Sequence, residues 1–252
     1  MTGWAVVTGA SSGLGAGYAR ELARQGANLI LVARSTTKLA DLAEDLATRH
    51  GVEVEVWPCD LTNRGGRAVL VADLATRDVH TLVNNAGFGT LGDFTDLAPE
   101  RILSEVELNV VALTELTRTV LPGMTARGRG AIINIASTAS FQPIPGFATY
   151  AATKAYVLRL SIALWSELRQ TDVRVLAVCP GPTDTGFFST AGDDAVMSRR
   201  RTVEQVVATS FRALRRRKPY AVDGMRNTIM AETARLAPPR FASALAGWIA
   251  TH

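Results

Sequence analysis

The sequence predicts an α/β fold in which a mainly parallel, doubly wound sheet carries helices on both faces. Seven short runs rich in Val, Ile and Leu alternate with helical patterns along the whole of the 252 residues, which is typical of parallel β-α-β units. Most of these runs lack polar alternation, as expected for strands that are covered on both faces. Since no repeat, low-complexity tract or linker interrupts the chain, we expect one domain over residues 1–252.

Each element follows from its local pattern. The predicted strands are 5–8, 28–33, 52–57, 80–83, 131–135, 173–178 and 220–222. The predicted helices are 15–25, 37–50, 64–76, 99–126, 150–169 and 203–216. Residues 181–201 form a long irregular segment. Such segments are usually functional lids or disordered stretches, and we interpret this one as a substrate loop or lid. Residues 226–252 are predicted to form a C-terminal helical extension.

Composition and charge exclude several other classes of protein. The chain is 47% hydrophobic and 20% charged, as is ordinary for a globular enzyme. The net charge is +4, but the basic clusters at 199–201 and 215–218 lack interleaved aromatic residues, so we expect no nucleic-acid partner. With no secretory signal and no long apolar stretch, we expect a cytoplasmic protein without a membrane partner. Cys59 and Cys179 are predicted to be free, buried core residues, and no metal site is expected.

A glycine-rich run connects the first strand to the first helix. Its spacing is G-x-x-x-G-x-G, and glycines there let the backbone approach a pyrophosphate while the helix N-terminus offers free N–H groups. This context predicts a Rossmann-type dinucleotide site, although a simple strand–helix turn is the alternative. The predicted contacts are Gly9, Ser11, Ser12, Gly13, Leu14 and Gly15.

The end of the second strand indicates which dinucleotide is bound. An NAD site usually places an acidic residue here, against the adenosine ribose. This chain instead has Arg34, which can bond a 2′-phosphate, with Ser35 and Lys38 as possible helpers. NADP(H) is therefore the predicted cofactor, and the alternative is that Arg34 is merely solvated.

Two further segments have the composition of cofactor walls. Asp60 and Leu61 follow the third strand, where the carboxylate could accept a bond from the adenine amino group. Asn85, Ala86 and Gly87 follow the fourth strand, and their small or amide side chains suit close packing beside a cofactor. Each segment taken alone could equally be a turn or a cap.

A serine, a tyrosine and a lysine predict the chemistry. The fifth strand ends at Ser137, and Tyr150 and Lys154 follow one helical turn apart, so the phenol and the ammonium share a helix face. A nearby ammonium is expected to lower the pKa of Tyr150, which could then exchange a proton with an alkoxide. Ser137 would stabilise the charge that develops on the carbonyl oxygen.

Together these motifs resemble the short-chain dehydrogenase/reductase family over nearly the whole chain. The resemblance implies that Asn109, Ser137, Tyr150 and Lys154 are catalytic, with Asn109 holding a water that links Lys154 to solvent. It also implies that Tyr150 and Lys154 contact the cofactor, and that the segment after the sixth strand does so as well. The residues implied in that segment are Pro180, Gly181, Thr183 and Thr185. Ser11 and Ser12 depart from the many NADP-using relatives that carry a basic residue in the glycine run.

The predicted function is hydride transfer between NADP(H) and a small-molecule carbonyl or alcohol. Aromatic and apolar residues near Tyr150 and in the long loop favour an apolar substrate, although ordinary packing explains them equally well. These residues are Phe141, Ile144, Phe147, Phe187 and Phe188. The resemblance and the apolar helices 99–126 and 150–169 imply a homo-oligomer, either a dimer or a tetramer. The alternatives are a catalytically silent NADP(H) redox sensor, or an epimerase or carbon–carbon double-bond reductase on the same fold.

Overall fold

A seven-stranded parallel sheet forms the centre of the computed structural model, which describes residues 3–185, 200–236 and 238. Its strand order is β3-β2-β1-β4-β5-β6-β7, and every neighbouring pair is parallel. The strands are β1 Trp4–Thr8, β2 Asn28–Ala33, β3 Val54–Pro58, β4 Val79–Asn84, β5 Arg129–Ile135, β6 Asp172–Cys179 and β7 Tyr220–Val222. The predicted α/β, doubly wound fold with seven strands is confirmed.

Helices follow the strands and cover both faces of the sheet. They are α1 Gly13–Arg24, α2 Thr36–His50, α3 Arg64–Leu74, α4 Pro99–Val106, α5 Leu113–Ala126, α6 Ala148–Glu167, α7 Val203–Arg215 and α8 Met225–Leu236. Among the described helices, none is long and apolar enough to span a membrane. The predicted substrate loop and C-terminal extension fall largely on residues 186–199, 237 and 239–252, which lie outside the described residues, as do Phe187 and Phe188.

The predicted helix over residues 99–126 is wrong in one respect. A π-helical turn, Glu107–Ala112, separates α4 from α5, so Asn109 lies in a wider turn instead of a regular α-helix. Such a turn adds one residue without ending the helix and is common at functional sites. The apolar periodicity of the sequence continues through the π-helical turn, so the sequence contains no pattern that predicts this turn.

The two faces of β2 show why its sequence is apolar throughout. Leu29 and Leu31 are completely buried in a cluster with α1, α2 and α7, whereas Ile30 and Val32 are buried with α3 and α5 on the other face. The order in which successive strands join the sheet reverses at the neighbours β1 and β4: β2 and β3 lie on one side, and β5, β6 and β7 on the other. In open parallel sheets a crevice opens at this switch point, beyond the carboxyl ends of the strands.

The two cysteines are both free, as predicted. Cys179 at the end of β6 is completely buried. Cys59 packs against the core cluster but is only partly buried, so the prediction of a buried residue is wrong for Cys59, because it follows the edge strand β3 where the sheet is less covered.

Candidate active site

The glycine run is tied to the end of β4 by hydrogen bonds. The hydroxyl of Thr8 accepts from the backbone N–H groups of Asn85 and Ala86, both at 3.0 Å. The amide of Asn85 donates to the carbonyl oxygens of Thr8 and Gly9, at 2.9 and 3.2 Å. Asn85, predicted as a cofactor contact, thus holds the glycine run in place through its side chain. This framework lies at the β1–β4 switch point.

Glycine is required within this run for two different reasons. Gly9 and Gly13 have φ values of +64° and +51°, a region that other residues rarely adopt. At Gly15, an added Cβ would lie 2.1 Å from the carbonyl oxygen of Gly9, so only glycine permits this close approach. Ser12 is extended and makes no side-chain cap to α1. The N-terminus of α1 therefore has the geometry of an anion site.

The adenosine side of the crevice is formed after β2 and β3. Arg34 is exposed at the end of β2, and Ser11 and Lys38 line one cleft between α1 and α2. One oxygen of Asp60 accepts from the N–H and the hydroxyl of Thr62, at 2.9 and 2.7 Å. Asp60 therefore stabilises a turn, and its predicted adenine contact stays a prediction.

Leu61, the other predicted wall residue, is 5% exposed. Its carbonyl oxygen accepts a hydrogen bond from the buried guanidinium of Arg67. The backbone of this wall is therefore fixed from beneath, independently of any ligand.

Ser137 and Tyr150 meet at the carboxyl end of β5. Ser137 begins a short 3₁₀ turn, Thr138–Phe141, and its hydroxyl accepts from the N–H of Ala139 at 3.1 Å. Tyr150 lies in the first turn of α6, and its phenol shares a hydrogen bond with the Ser137 side chain. The two hydroxyls can therefore bind one substrate oxygen between them.

Lys154 lies one turn after Tyr150 and points into the same space. Its ammonium donates to the carbonyl oxygen of Ile135 at 2.7 Å and lies 5.7 Å from the centre of the Tyr150 ring. The hydroxyl of Ser140 donates to the carbonyl oxygen of Lys154 at 2.8 Å. The lysine is 5% exposed, so its charge lies in a poorly solvated environment.

The electrostatics differ from the sequence-based expectation. Burial raises the pKa of Tyr150 to about 12, and the hydrogen bond with Ser137 opposes that rise. Burial also lowers the pKa of Lys154 to about 8. The prediction that Lys154 brings the tyrosine pKa below its ordinary value is wrong for this structure, because the loss of solvent around the phenol has the larger effect.

Asn109 is completely enclosed by backbone and side-chain partners. Its amide donates to the carbonyl oxygen of Phe88 at 2.8 Å and to the hydroxyl of Thr153 at 3.1 Å, and its oxygen accepts from the N–H of Phe88 at 3.2 Å. A Cβ added to Gly87 would lie 2.8 Å from the Asn109 oxygen and 3.3 Å from the Lys154 nitrogen. The structure therefore brings Asn109 and Lys154 together at Gly87, and the water-holding role of Asn109 stays a prediction.

The segment after β6 returns to the glycine run. The carbonyl oxygen of Pro180 accepts from the N–H of Thr138 at 2.9 Å, and the hydroxyl of Thr183 donates to the carbonyl oxygen of Gly181 at 2.9 Å. A Cβ added to Gly13 would lie 3.0 Å from the methyl group of Thr185. The segment thus lies between the predicted pyrophosphate site and the turn that Ser137 begins, and its predicted cofactor contacts stay predictions.

The predicted apolar residues divide into two groups. Phe147 stacks on Tyr150, with ring centres 4.3 Å apart and planes 21° from parallel, and Ile144 packs in the same cluster. Phe141 instead lies 5.9 Å from the ring of Tyr220, so ordinary packing explains it.

Sequence reasoning missed Glu105, a completely buried carboxyl next to the site. Its only signal is its position four residues before Asn109 on a helix that covers the sheet.

These features define a dinucleotide crevice with a hydrogen-bonded serine–tyrosine pair and a buried lysine. The model of the short chain dehydrogenase family matches residues 3–195, and the chain belongs to that oxidoreductase family. A short-chain dehydrogenase from Sphingobium yanoikuyae, solved in complex with NADPH, is 38% identical, with a TM-score of 0.84 and 87% of each chain covered.

Two curated relatives have the same sequence identity to this chain as each other. The very-long-chain 3-oxoacyl-CoA reductase of Bos taurus is 36% identical over 182 residues, covering 70% of this chain and 58% of that protein. The inactive hydroxysteroid dehydrogenase-like protein 1 of Homo sapiens is 36% identical over 182 residues, covering 70% of this chain and 54% of that protein. The chain thus spans just over half the length of these relatives.

Proposed function

We propose that this protein is an NADP(H)-dependent oxidoreductase that interconverts an apolar ketone or aldehyde and the corresponding alcohol. The observation that carries the proposal is the hydrogen-bonded pair of Ser137 and Tyr150 beside the buried ammonium of Lys154. Two hydroxyl groups aimed at one point form a site for a carbonyl oxygen that gains negative charge.

In this mechanism the protein orients the substrate oxygen and supplies the proton. Ser137 and Tyr150 bind the oxygen, and Tyr150 transfers its phenolic proton to the alkoxide as it forms. A phenol whose pKa is raised to about 12 stays protonated until that step. Lys154 places a positive charge beside the ring, and Asn109 fixes the backbone next to it. The nicotinamide cofactor, when bound, supplies or accepts the hydride.

The residues of the crevice fit a phosphorylated dinucleotide. The glycine run and the N-terminus of α1 would hold the pyrophosphate, and Thr185 would close over Gly13. Arg34 would bind the 2′-phosphate, since no acidic residue stands between the end of β2 and Asp41 within α2. The NADPH complex of the Sphingobium yanoikuyae relative supports this choice.

An apolar substrate is supported by Ile144 and Phe147, which pack against Tyr150. The bovine relative is named for a long acyl substrate, which agrees with this class. The single-domain organisation, the cytoplasmic location and the homo-oligomer stay predictions. A silent redox sensor is the competing function, and the human relative described as inactive gives it weight. The complete set of Asn109, Ser137, Tyr150 and Lys154 favours the enzyme, because a sensor needs only the dinucleotide crevice.

The test is an NADPH-oxidation screen over apolar ketones, aldehydes and β-keto acyl compounds, with Tyr150→Phe as the matched control. We expect turnover that the variant loses while it still binds NADPH. Tight NADPH binding without turnover of any compound by the unmodified protein would instead support the sensor.

A further inference from the structure

One buried carboxyl of the active site has no role in the mechanism above. Glu105, in the last turn of α4, is 0% exposed. Neither carboxylate oxygen accepts a hydrogen bond of ordinary geometry from a described residue, but the hydroxyl and the N–H of Thr90 approach closely enough to lower the pKa of the carboxyl. Burying an ionised carboxyl group with so few hydrogen-bond partners is unfavourable, because the group loses its water. An apolar side chain on the same helix face would avoid this unfavourable desolvation of a charge.

The surroundings of Glu105 are cationic. Arg101 precedes it by one turn on α4, and Thr90 approaches it from the loop after β4. Lys154 lies on α6, which packs against α4, and Asn109, one turn after Glu105, donates to Thr153, the residue before Lys154. Burial raises the pKa of Glu105, while Thr90, Arg101 and Lys154 act in the opposite direction. The guanidinium of Arg101 also donates to the hydroxyl of Thr90 at 3.3 Å, which keeps that cation beside the carboxyl.

Among the groups that affect the pKa of Lys154, Glu105 is the principal acidic neighbour. Burial lowers the pKa of Lys154, and the two groups that raise it are Glu105 and, to a smaller extent, Cys179 on β6. Burial raises the pKa of the Cys179 thiol far above neutrality, so that thiol carries no charge in the working pH range. Tyr150, also adjacent, is a neutral phenol at the same pH.

We propose that Glu105 is a positioning residue whose buried carboxylate is the counter-charge that keeps the ammonium of Lys154 protonated inside the protein. The inference rests on the proposed function for its catalytic consequence. If carbonyl reduction needs the Lys154 ammonium, Glu105 sets how far into alkaline pH the enzyme still works. In that case the buried carboxyl of Glu105 lowers the stability of the fold and serves activity instead.

The number of lysines makes a direct test possible. The chain has three, Lys38, Lys154 and Lys218. With ¹³C-labelled lysine, the full-length protein should give one Cε resonance for each, and Lys154 is assigned with a Lys154→Arg variant. We expect Lys154 to titrate near pH 8, and the resonances of the exposed Lys38 and Lys218 serve as internal references.

The deciding comparison is Glu105→Gln against Glu100→Gln, which removes an exposed carboxylate from the same helix. We expect Glu105→Gln to lower the Lys154 midpoint by about one pH unit, as removal of a nearby opposite charge does, and Glu105→Asp to restore much of it. Glu100→Gln should leave the midpoint unchanged. A Lys154 midpoint that is the same in Glu105→Gln and the unmodified protein would overturn the proposal. This readout needs no turnover, so it separates the failure of this inference from the failure of the proposed function.

Two further measurements distinguish a counter-charge from a packing role. Where a carbonyl substrate is found, the alkaline limb of kcat/KM for reduction should move to lower pH in Glu105→Gln and remain in place in Glu100→Gln. A Glu105→Met variant should have a higher Tm than the unmodified protein, because it replaces a completely buried carboxyl, which lacks well-formed hydrogen bonds, with an apolar group of similar size. A lower Tm in Glu105→Met together with an unmoved alkaline limb would assign Glu105 to packing alone.

Discussion

Replacing the buried Arg67 tests how the walls of the crevice are held. Arg67 is 2% exposed and pairs with Glu107 and Glu115, each at 2.6 Å. It also donates to the carbonyl oxygen of Leu61. Through these contacts α3 is joined to the π turn that contains Asn109. An Arg67→Met variant keeps most of the side-chain volume and removes all three interactions at once.

The expected loss of stability in Arg67→Met depends on how far the two glutamates that pair with Arg67 are exposed to water. Two charge-assisted hydrogen bonds contribute about 3–6 kcal/mol before other terms. Glu107 and Glu115 are 33% and 39% exposed, so their carboxylates regain water, and removing the guanidinium also removes its burial penalty. We therefore expect Arg67→Met to lower the free energy of unfolding by about 2–4 kcal/mol.

The assay is urea unfolding followed by tryptophan fluorescence, with linear extrapolation to water. The control is Arg24→Met, which breaks a pair with Glu21 in which Arg24 is 65% exposed, and which should leave the free energy of unfolding almost unchanged, since exposed ion pairs contribute little. Equal losses in Arg67→Met and Arg24→Met would refute the reasoning. If the wall at Leu61 depends on Arg67, the variant will also bind NADPH more weakly in a fluorescence titration.

Three predictions concern the crevice directly. Tyr150→Phe should reduce kcat by several orders of magnitude in steady-state assays while the Kd for NADPH is unchanged, and full activity would remove the proposed acid. Arg34→Asp should move the ratio of kcat/KM values from NADPH towards NADH, because it replaces a phosphate-binding cation with a ribose-binding acid; an unchanged ratio would locate the phosphate contact elsewhere. Gly15→Ala should abolish NADPH binding measured by calorimetry, since its Cβ would lie 2.1 Å from the Gly9 oxygen, and an unchanged Kd would contradict the proposed path of the cofactor.

The sequence predicted the elements of the fold well because their signals are local. All seven strands were located within two residues at their starts, since buried parallel strands are continuous apolar runs. The π turn at Asn109 was not predicted, because inserting one residue in a helix leaves no local pattern. The pairing of Ser137 with Tyr150 was anticipated from the strand end and the helix face on which they lie.

The electrostatics could not be predicted in the same way. The pKa of Tyr150 depends on how completely the phenol is buried, and burial is a property of the assembled structure. The position of Glu105 beside Lys154 likewise arises from contacts between α4 and α6, which are far apart in the chain. Asn85 was interpreted as a ligand contact from its motif, whereas its observed hydrogen bonds are to the backbone of the neighbouring strand.

The hydrogen bonds between Thr8 and the end of β4 have a consequence for redesign. They hold the two central loops by contacts internal to the protein, so the shape of the pyrophosphate site is set before any ligand arrives. Arg34, which chooses between the two dinucleotides in our proposal, projects from a different strand and takes no part in that framework. In our proposal, cofactor preference and the shape of the pyrophosphate site thus depend on different residues, so a substitution at Arg34 should change the first and leave the second intact.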